Sequence, residues 1–298
     1  MQRTEKIWFN GKFVPWDEAN THVMTHALHY GTAVFEGIRM YKTARGPAIF
    51  HLKRHVDRLF YSAESIGMRV PHTKKQITQA IIETTRVNKM QECYIRPIIY
   101  YGFAELKVLP KNCPIESAIA VWPWGAYLES DSVRVLIPDV IRMHPRSSIT
   151  DAKISGHYIN SMLAGREATE KGFDEALLLD YEGNIAEGPG ENFFMIKNNK
   201  VITPTTHSIL PGITRSSILT LAADLGYTVE ERSIRPEEAY FADECFFSGT
   251  AAEITPICSI DNKNMKYPCG PITTRIKKSF IEVIKGENRN YTNWLTFI

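Results

Sequence analysis

Apolar positions in this chain of 298 residues change their period several times, and each change marks an element. At the start, Ile7 to Phe9 and Lys12 to Val14 flank Asn10-Gly11, a dipeptide favoured in two-residue hairpins, so the chain is expected to open in β structure. From Lys53 to Ile66 the spacing is helical: Val56, Leu59, Phe60, Ala63 and Ile66 share a face, Gly67 is placed to end it, and Arg58 lies off the apolar stripe. Ile77, Ile81 and Val87 predict a second helix over Thr73 to Met90. Glu92 to Tyr101 then alternates as a strand and sets Tyr94, Arg96, Ile98 and Tyr100 on one face.

Ala118 to Val121 predicts a further strand running into W-P-W-G-A-Y-L, where proline and glycine interrupt an aromatic cluster ahead of the polar E-S-D-S. Turn residues and a change of composition coincide there, as at a domain boundary. The expected layout is α+β in two domains: a smaller α/β domain over residues 1–123, an interdomain loop over 124–131, and a larger β-rich domain over 132–298. In the second domain we expect a strand from Val133 to Ile137 and a helix from about Ile159 to Lys171, capped by Gly172. A buried strand from Ala176 to Leu179 follows, then a hairpin through Asn198-Asn199 into Val201 to Thr203. A helix from Ile213 to Leu225 and a strand from Cys245 to Phe247 complete it.

Composition narrows the partners. The chain is 44% hydrophobic and 23% charged, as an ordinary globular protein is, and 35 Lys plus Arg against 33 Asp plus Glu leave a net charge of +2. Like charges form no long run, so neither nucleic acid nor an anionic membrane is implied, and a small-molecule partner is expected. The first residues lack the apolar core of an export signal, and no stretch approaches about 18 uninterrupted apolar residues, so a cytoplasmic location is expected. Cys93, Cys113, Cys245, Cys258 and Cys269 are scattered without C-x-x-C spacing, which argues against a disulfide framework or structural zinc. His22, His26 and His29 invite a metal reading, but no carboxylate or thiolate nearby completes a ligand set. Packed or hydrogen-bonded histidines, and no metal, are expected.

Candidate chemistry lies in four places. Lys153, in D-A-K-I-S-G-H-Y, stands among small residues where a cofactor could approach the backbone, although on these residues alone a solvated loop lysine is the plainer reading. Tyr94 and Arg96, side by side on a strand, suit a carboxylate. L-P-G-I-T-R leads straight into a helix whose N-terminus, with Thr214, offers amides and a hydroxyl to a phosphate; an ordinary turn explains it equally well. S-G-T-A-A-E-I-T supplies a second turn of small residues, with Thr250. E-G-P-G-E-N lacks the third glycine and the strand-to-helix setting of a dinucleotide fingerprint.

Together these pieces resemble one family. H-A-L-H-Y-G-T-A-V-F-E-G-I-R, Y-I-R-P, W-P-W-G-A-Y-L, A-K-I-S-G-H-Y, E-G-P-G-E-N-F-F, L-P-G-I-T-R, S-G-T-A-A-E-I-T-P and the terminal N-W-L-T-F look like the branched-chain amino-acid aminotransferases, class IV pyridoxal-phosphate enzymes of fold type IV, almost end to end and in order. The resemblance implies pyridoxal 5'-phosphate as cofactor, L-leucine, L-isoleucine and L-valine with 2-oxoglutarate as substrates, and biosynthesis as the direction. Lys153 would bond the cofactor as a Schiff base and then move the substrate proton. Glu187 would face the pyridine nitrogen, and Tyr158 the ring oxygen. Arg58, Ile213, Thr214 and Thr250 would hold the phosphate, with the cofactor between the two domains. Phe35, Gly37, Trp124, Tyr127 and Tyr158 would box the aliphatic side chain. Tyr30, contributed by a neighbouring subunit of a homodimer or larger oligomer, would bind carboxylates with Tyr94 and Arg96, aided by the amides of Thr250, Ala251 and Ala252. The loop from Phe103 to Pro114 departs from the family's glycine-rich pattern, which bears on substrate breadth. A D-amino-acid or (R)-amine aminotransferase, or an aminodeoxychorismate lyase, would share Lys153, Glu187 and the phosphate residues. A metal-binding protein built on the histidines is the rival of another class.

Overall fold

The computed structural model describes residues 2–125 and 131–298. They form two compact units: residues 2–125 with Ala152–His157 and Val283–Ile298, and residues 131–151 with Tyr158–Glu282. This division cuts across the linear one. The segment carrying Lys153 groups with the N-terminal residues because Val34 bridges Ile154 in antiparallel fashion and Gly156 N donates to Gly31 O at 3.1 Å. The last residues join the same unit because the strand Leu295–Phe297 pairs antiparallel with Phe50 to Ala48.

The first unit is built on one sheet. It takes β1 (Lys6–Phe9), β2 (Lys12–Pro15), β3 (Ala33–Phe35), β4 (Ile38–Thr43), β5 (Gly46–Phe50), β6 (Cys93–Tyr101), β7 (Ile115–Trp122) and the C-terminal strand, in the order C-terminal strand, β5, β4, β6, β7, β1, β2, with β3 also on β6. Asn10 and Gly11 have φ of 47° and 93°, the left-handed pair that a two-residue hairpin needs. Three helices accompany the sheet: α1 (His26–Tyr30), α2 (Leu52–Ser65) and α3 (Lys74–Val87). The apolar stripe of α2 is buried through Val56, Leu59 and Ala63, and Gly67 follows its end with φ +77°. A capping box starts α3, with Gln76 N donating to Thr73 Oγ1 and Thr73 N to Gln76 Oε1. Ile77 and Ile81 are buried as their spacing predicts, whereas Val87, on the last turn, is exposed. Leu59, Ile81, Ile95 and Val121 belong to one apolar core with Val34, Ile38 and Met40, and each such fully buried side chain contributes about 1.5–3 kcal/mol.

The second unit holds β8 (Val133–Leu136), α4 (Tyr158–Glu170), β9 (Glu175–Ala176), β10 (Asn192–Lys197), β11 (Lys200–Thr203), α5 (Ile213–Asp224), β12 (Thr228–Glu231), α6 (Pro236–Tyr240), β13 (Glu244–Gly249), β14 (Glu253–Ile260) and β15 (Lys263–Asn264); α7 (Pro271–Ile284) runs to its boundary. Its sheet runs β12, β11, β10, β13, β14, β8, β9, with β15 on β14. The core is Phe193, Met195, Ile202, Cys245, Phe247 and Ile257. The expected strand over 176–179 is reduced to Glu175–Ala176. Beyond it the chain changes partners: Leu177 N bonds Leu136 O, whereas Leu178 N turns to Glu187 O. Among the described residues, no helix is long and apolar enough to cross a membrane.

Candidate active site

Lys153 is clamped by its backbone. Its N–H donates to Ser62 Oγ at 2.9 Å and its carbonyl accepts from Phe35 N at 3.2 Å. Ser62 lies on α2 with no exposure. A Cβ on Gly31, where φ is +66°, would lie 2.8 Å from Gly156 Cα, so the small residues after Lys153 let this segment press against the end of α1. The Lys153 ammonium nitrogen stands 5.0 Å from the centroid of the Phe35 ring, and the Arg96 guanidinium carbon 4.7 Å from that same ring. Two cations thus share one aromatic side chain.

Around Arg96 the rings close into a box. Its guanidinium carbon is 5.4 Å from the Tyr94 ring and 6.0 Å from that of Trp122; Tyr94 meets Trp122 at 5.2 Å and Trp124 at 4.3 Å. Arg96 Nη2 donates weakly to Tyr94 Oη at 3.4 Å, and its buried Nε has no hydrogen-bond partner among the described residues. Leaving such a donor unmade costs about 1–3 kcal/mol, and a carboxylate is the acceptor that best fills the fork. Gly37 borders the box: a Cβ there would fall 1.9 Å from Tyr94 Oη. Trp122 was not among the sequence candidates, although it lies directly across from Tyr94 in the β6–β7 register.

Arg58 is held by an acid that the sequence reading passed over. Its Nε lies 2.6 Å from Glu36 Oε1 and its Nη2 2.9 Å from Oε2, while His55 Nδ1 donates to Oε2 at 2.7 Å. Burial pushes the Glu36 carboxyl up, but Arg58 and His55 outweigh it and hold it far below the usual carboxylate range. Burial also lowers His55, against the pull of Glu36, so a neutral ring donates from Nδ1. Glu36 thus occupies Nε and one Nη2 hydrogen of Arg58. His51, His55, Arg58 and Ser62 recur at helical spacing along α2 and its cap, a polar stripe beside the apolar one; that periodicity was the available signal.

Tyr30 is engaged apart from the box, on α1, with its phenol donating to Leu106 O at 2.9 Å. The neighbouring histidines are tied to the protein itself: His26 to Thr32 Oγ1 and Lys107 O, His29 to Val23 O, and His22 stacked on Phe103.

In the second unit Glu187 is buried and accepts from Arg142 Nε at 2.5 Å, from Asn192 Nδ2 at 3.1 Å and from Leu210 N at 3.1 Å. All three partners are donors, and the two Glu187 oxygens accept from them. Arg142 and Asn192 were also missed. Asn192 carries the link onward, because a Cβ on Gly212 would fall 1.9 Å from its Oδ1. Gly212 caps α5, whose ladder begins with Ser216 N on Gly212 O. The amides of Ile213, Thr214 and Arg215 therefore lie outside the ladder, as an anion-binding helix start requires. Thr250, Ala251 and Ala252 lie between Gly249 of β13 and the Glu253 start of β14. Nearby on β13, the buried Ser248 Oγ lacks a partner among the described residues. Tyr158 opens α4 half-buried, and Tyr127 lies outside the described residues.

Taken each within its own unit, the Lys153 amine, the open start of α5 and the buried Glu187 side chain are groups of the kinds that suit pyridoxal phosphate. Residues 33–260 match the model of the family "Amino-transferase class IV", and the chain belongs to that class. Within it, the chain belongs to the branched-chain-amino-acid aminotransferases. It is 42% identical to the Pseudomonas aeruginosa branched-chain-amino-acid aminotransferase over 98% of this chain and 97% of that one. The T.th. branched-chain amino acid aminotransferase complexed with N-(5'-phosphopyridoxyl)-L-glutamate superposes with a TM-score of 0.97 at 43% identity, covering 100% of this chain and 99% of the other. The same protein complexed with 4-methylvaleric acid gives 0.96 at 42% identity, with the same coverage.

Proposed function

We propose that this chain exchanges amino groups between L-leucine, L-isoleucine or L-valine and 2-oxoglutarate in two half-reactions, with pyridoxal 5'-phosphate as cofactor, in the direction of branched-chain amino-acid synthesis. The observation that carries the reading is the single Phe35 ring flanked by the Lys153 amine and the Arg96 guanidinium: a nucleophilic amine and a carboxylate anchor on one aromatic floor. Identity near 42% over almost the whole chain to a branched-chain-amino-acid aminotransferase supports this choice over a D-amino-acid, (R)-amine or lyase activity.

Bound pyridoxal phosphate supplies a carbonyl that captures the substrate's amino group and a ring that draws electrons from its α-carbon. With that group bound, Lys153 would hold its carbonyl carbon through the amine when no substrate is present and, once the substrate's amine replaces it, would carry the proton from the substrate's α-carbon to that carbon. Its backbone clamp on Ser62 and Phe35 fixes where that amine starts. Glu187, whose oxygens Arg142 and Asn192 fix, would keep the cofactor's pyridine nitrogen protonated. Arg58, Thr214, Thr250 and the amide of Ile213 would hold the cofactor's phosphate, and Tyr158 would meet its ring oxygen. Phe35, Gly37, Trp124 and Tyr127 shape the aliphatic pocket. Tyr94, Arg96, the amides of Thr250 to Ala252, and Tyr30 of a second copy take the carboxylates. A cytoplasmic homodimer or larger oligomer is part of the same reading.

The test is the half-reaction. The yellow holoenzyme is mixed with L-Leu, L-Ile, L-Val, L-Glu and their D-forms, and the cofactor's absorbance change is followed. Conversion by the branched L-amino acids and L-Glu, and little by D-forms, is expected; borohydride should bleach the yellow band and leave the cofactor covalently fixed to Lys153. Conversion chiefly by D-amino acids, or activity retained in Lys153→Ala, refutes the proposal.

A further inference from the structure

Two side chains of α1 reach consecutive carbonyls of the loop over residues 103–114. His26, with no exposure, sets Nε2 2.9 Å from Lys107 O, so Nε2 carries a proton. Tyr30, 43% exposed, donates to Leu106 O at 2.9 Å. The loop is otherwise ordered from within: Glu105 Oε1 accepts from the amides of Lys111 and Asn112 at 2.8 and 2.9 Å. Its tip presents Val108 and Leu109, 78% and 68% exposed.

A phenol has one proton to give. Leu106 O is an acceptor only, and so is a carboxylate, so Tyr30 can serve one of them at a time. In the function proposed above, on which this inference rests, Tyr30 meets the distal carboxylate of the glutamate pair and no such group on leucine, isoleucine or valine. We propose that Tyr30 is an exchange donor: it ties the 103–114 loop through Leu106 O while an aliphatic substrate is bound, and passes that hydrogen bond to the distal carboxylate of the dicarboxylic substrate. The exchange replaces a neutral bond with a charge-assisted one of roughly twice the strength, and Leu106, only half-buried, is left to water. The buried His26 tie remains, so the loop is loosened and not lost. One pocket thereby meets two kinds of side chain with its apolar loop held in one case and slackened in the other.

Hydrogen exchange of the amides over residues 105–112 tests this in the pyridoxal-phosphate holoenzyme, saturated either with glutarate or with 4-methylpentanoate, with binding followed by cofactor absorbance. Glutarate is expected to raise exchange several-fold and to speed tryptic cleavage after Lys107, and 4-methylpentanoate to do neither. In Tyr30→Phe, exchange should be fast with or without ligand, and glutarate affinity about tenfold weaker, the loss of one charge-assisted bond. Equal exchange with the two acids in the unaltered enzyme overturns the proposal, as does unchanged loop exchange in Tyr30→Phe. If neither acid binds and neither L-Leu nor L-Glu converts the cofactor, the proposed function itself falls and the exchange role with it, a result distinct from failure of the exchange alone.

Discussion

Arg58 grips Glu36 through two nitrogens, 2.6 and 2.9 Å from its two oxygens, and the carboxylate has no exposure to water. A buried charge that loses its partner typically costs about 3–5 kcal/mol. Glu36→Gln is therefore expected to lower the urea stability of the cofactor-free protein by that order. It should also weaken pyridoxal phosphate more than unphosphorylated pyridoxal, because the side chain it frees is the one assigned to the phosphate. Equal losses for the two ligands would show that Glu36 only supports the fold. In the unaltered protein the carboxyl titrates below its ordinary 4.5, so its stabilisation is complete above that pH and disappears only in stronger acid.

His51 sets a milder pH dependence. Burial first, then the Arg54 charge and the neighbouring His55, push its ring from 6.5 down to about 3. The folded state thus keeps it neutral where the unfolded chain would protonate it. Its contribution is complete above pH 6.5 and is lost as pH falls from there toward 3, by at most about 1.4 kcal/mol per pH unit. Urea titrations at pH 7.5, 6.5 and 5.5 should show that decline. His51→Asn, which tolerates the left-handed φ of 49°, should flatten part of it, His55 accounting for the remainder.

Gly37→Ala tests the aromatic box. The new methyl would overlap Tyr94 Oη and lie 2.8 Å from its Cζ, and Trp124 packs edge-on against that ring at 4.3 Å, so Tyr94 must be displaced. Overpacking of this kind costs about 1–3 kcal/mol. We expect an altered near-ultraviolet spectrum from the tryptophans and a fall in kcat/KM of about tenfold or more for leucine and glutamate alike. An unchanged spectrum with normal kinetics would mean that Tyr94 is looser than its packing indicates.

Much of this was legible in the sequence where periodicity speaks for one element at a time. The hairpin at Asn10-Gly11, the apolar face of α2, the strand carrying Tyr94 and Arg96, and the helix starting at Ile213 all follow local pattern. What escaped depends on pairing across the chain. Nothing near Glu36 in sequence announces Arg58, and Trp122 becomes a neighbour of Arg96 only through the register of two strands. Lys153 looks like part of the second half until the bridge from Val34 to Ile154 shows which sheet holds it. The polar stripe of α2 was readable too, but it is overshadowed by the stronger apolar stripe on the same helix.

Arg96 gives the sharpest contrast with Glu36. Its Nε is buried without an acceptor among the described residues, so the cofactor-free fold bears the cost of a donor that only a bound anion would relieve. Replacing it with leucine removes that donor and keeps an apolar body against Phe35, Tyr94 and Trp122. Arg96→Leu should therefore leave the apo protein as stable as before or more so, by up to about 1–3 kcal/mol in urea. Substrate binding should move the other way. Loss of a charge-assisted contact, typically about 1.5–3 kcal/mol, raises KM roughly tenfold to a hundredfold for any substrate whose carboxylate it holds. If Arg96 holds only the distal carboxylate, glutamate and 2-oxoglutarate suffer while leucine is spared; if it holds the α-carboxylate, all substrates suffer alike. Steady-state kinetics with both amino acids separate the two cases. A variant that is both less stable and equally active would mean that the box around Arg96 serves packing alone.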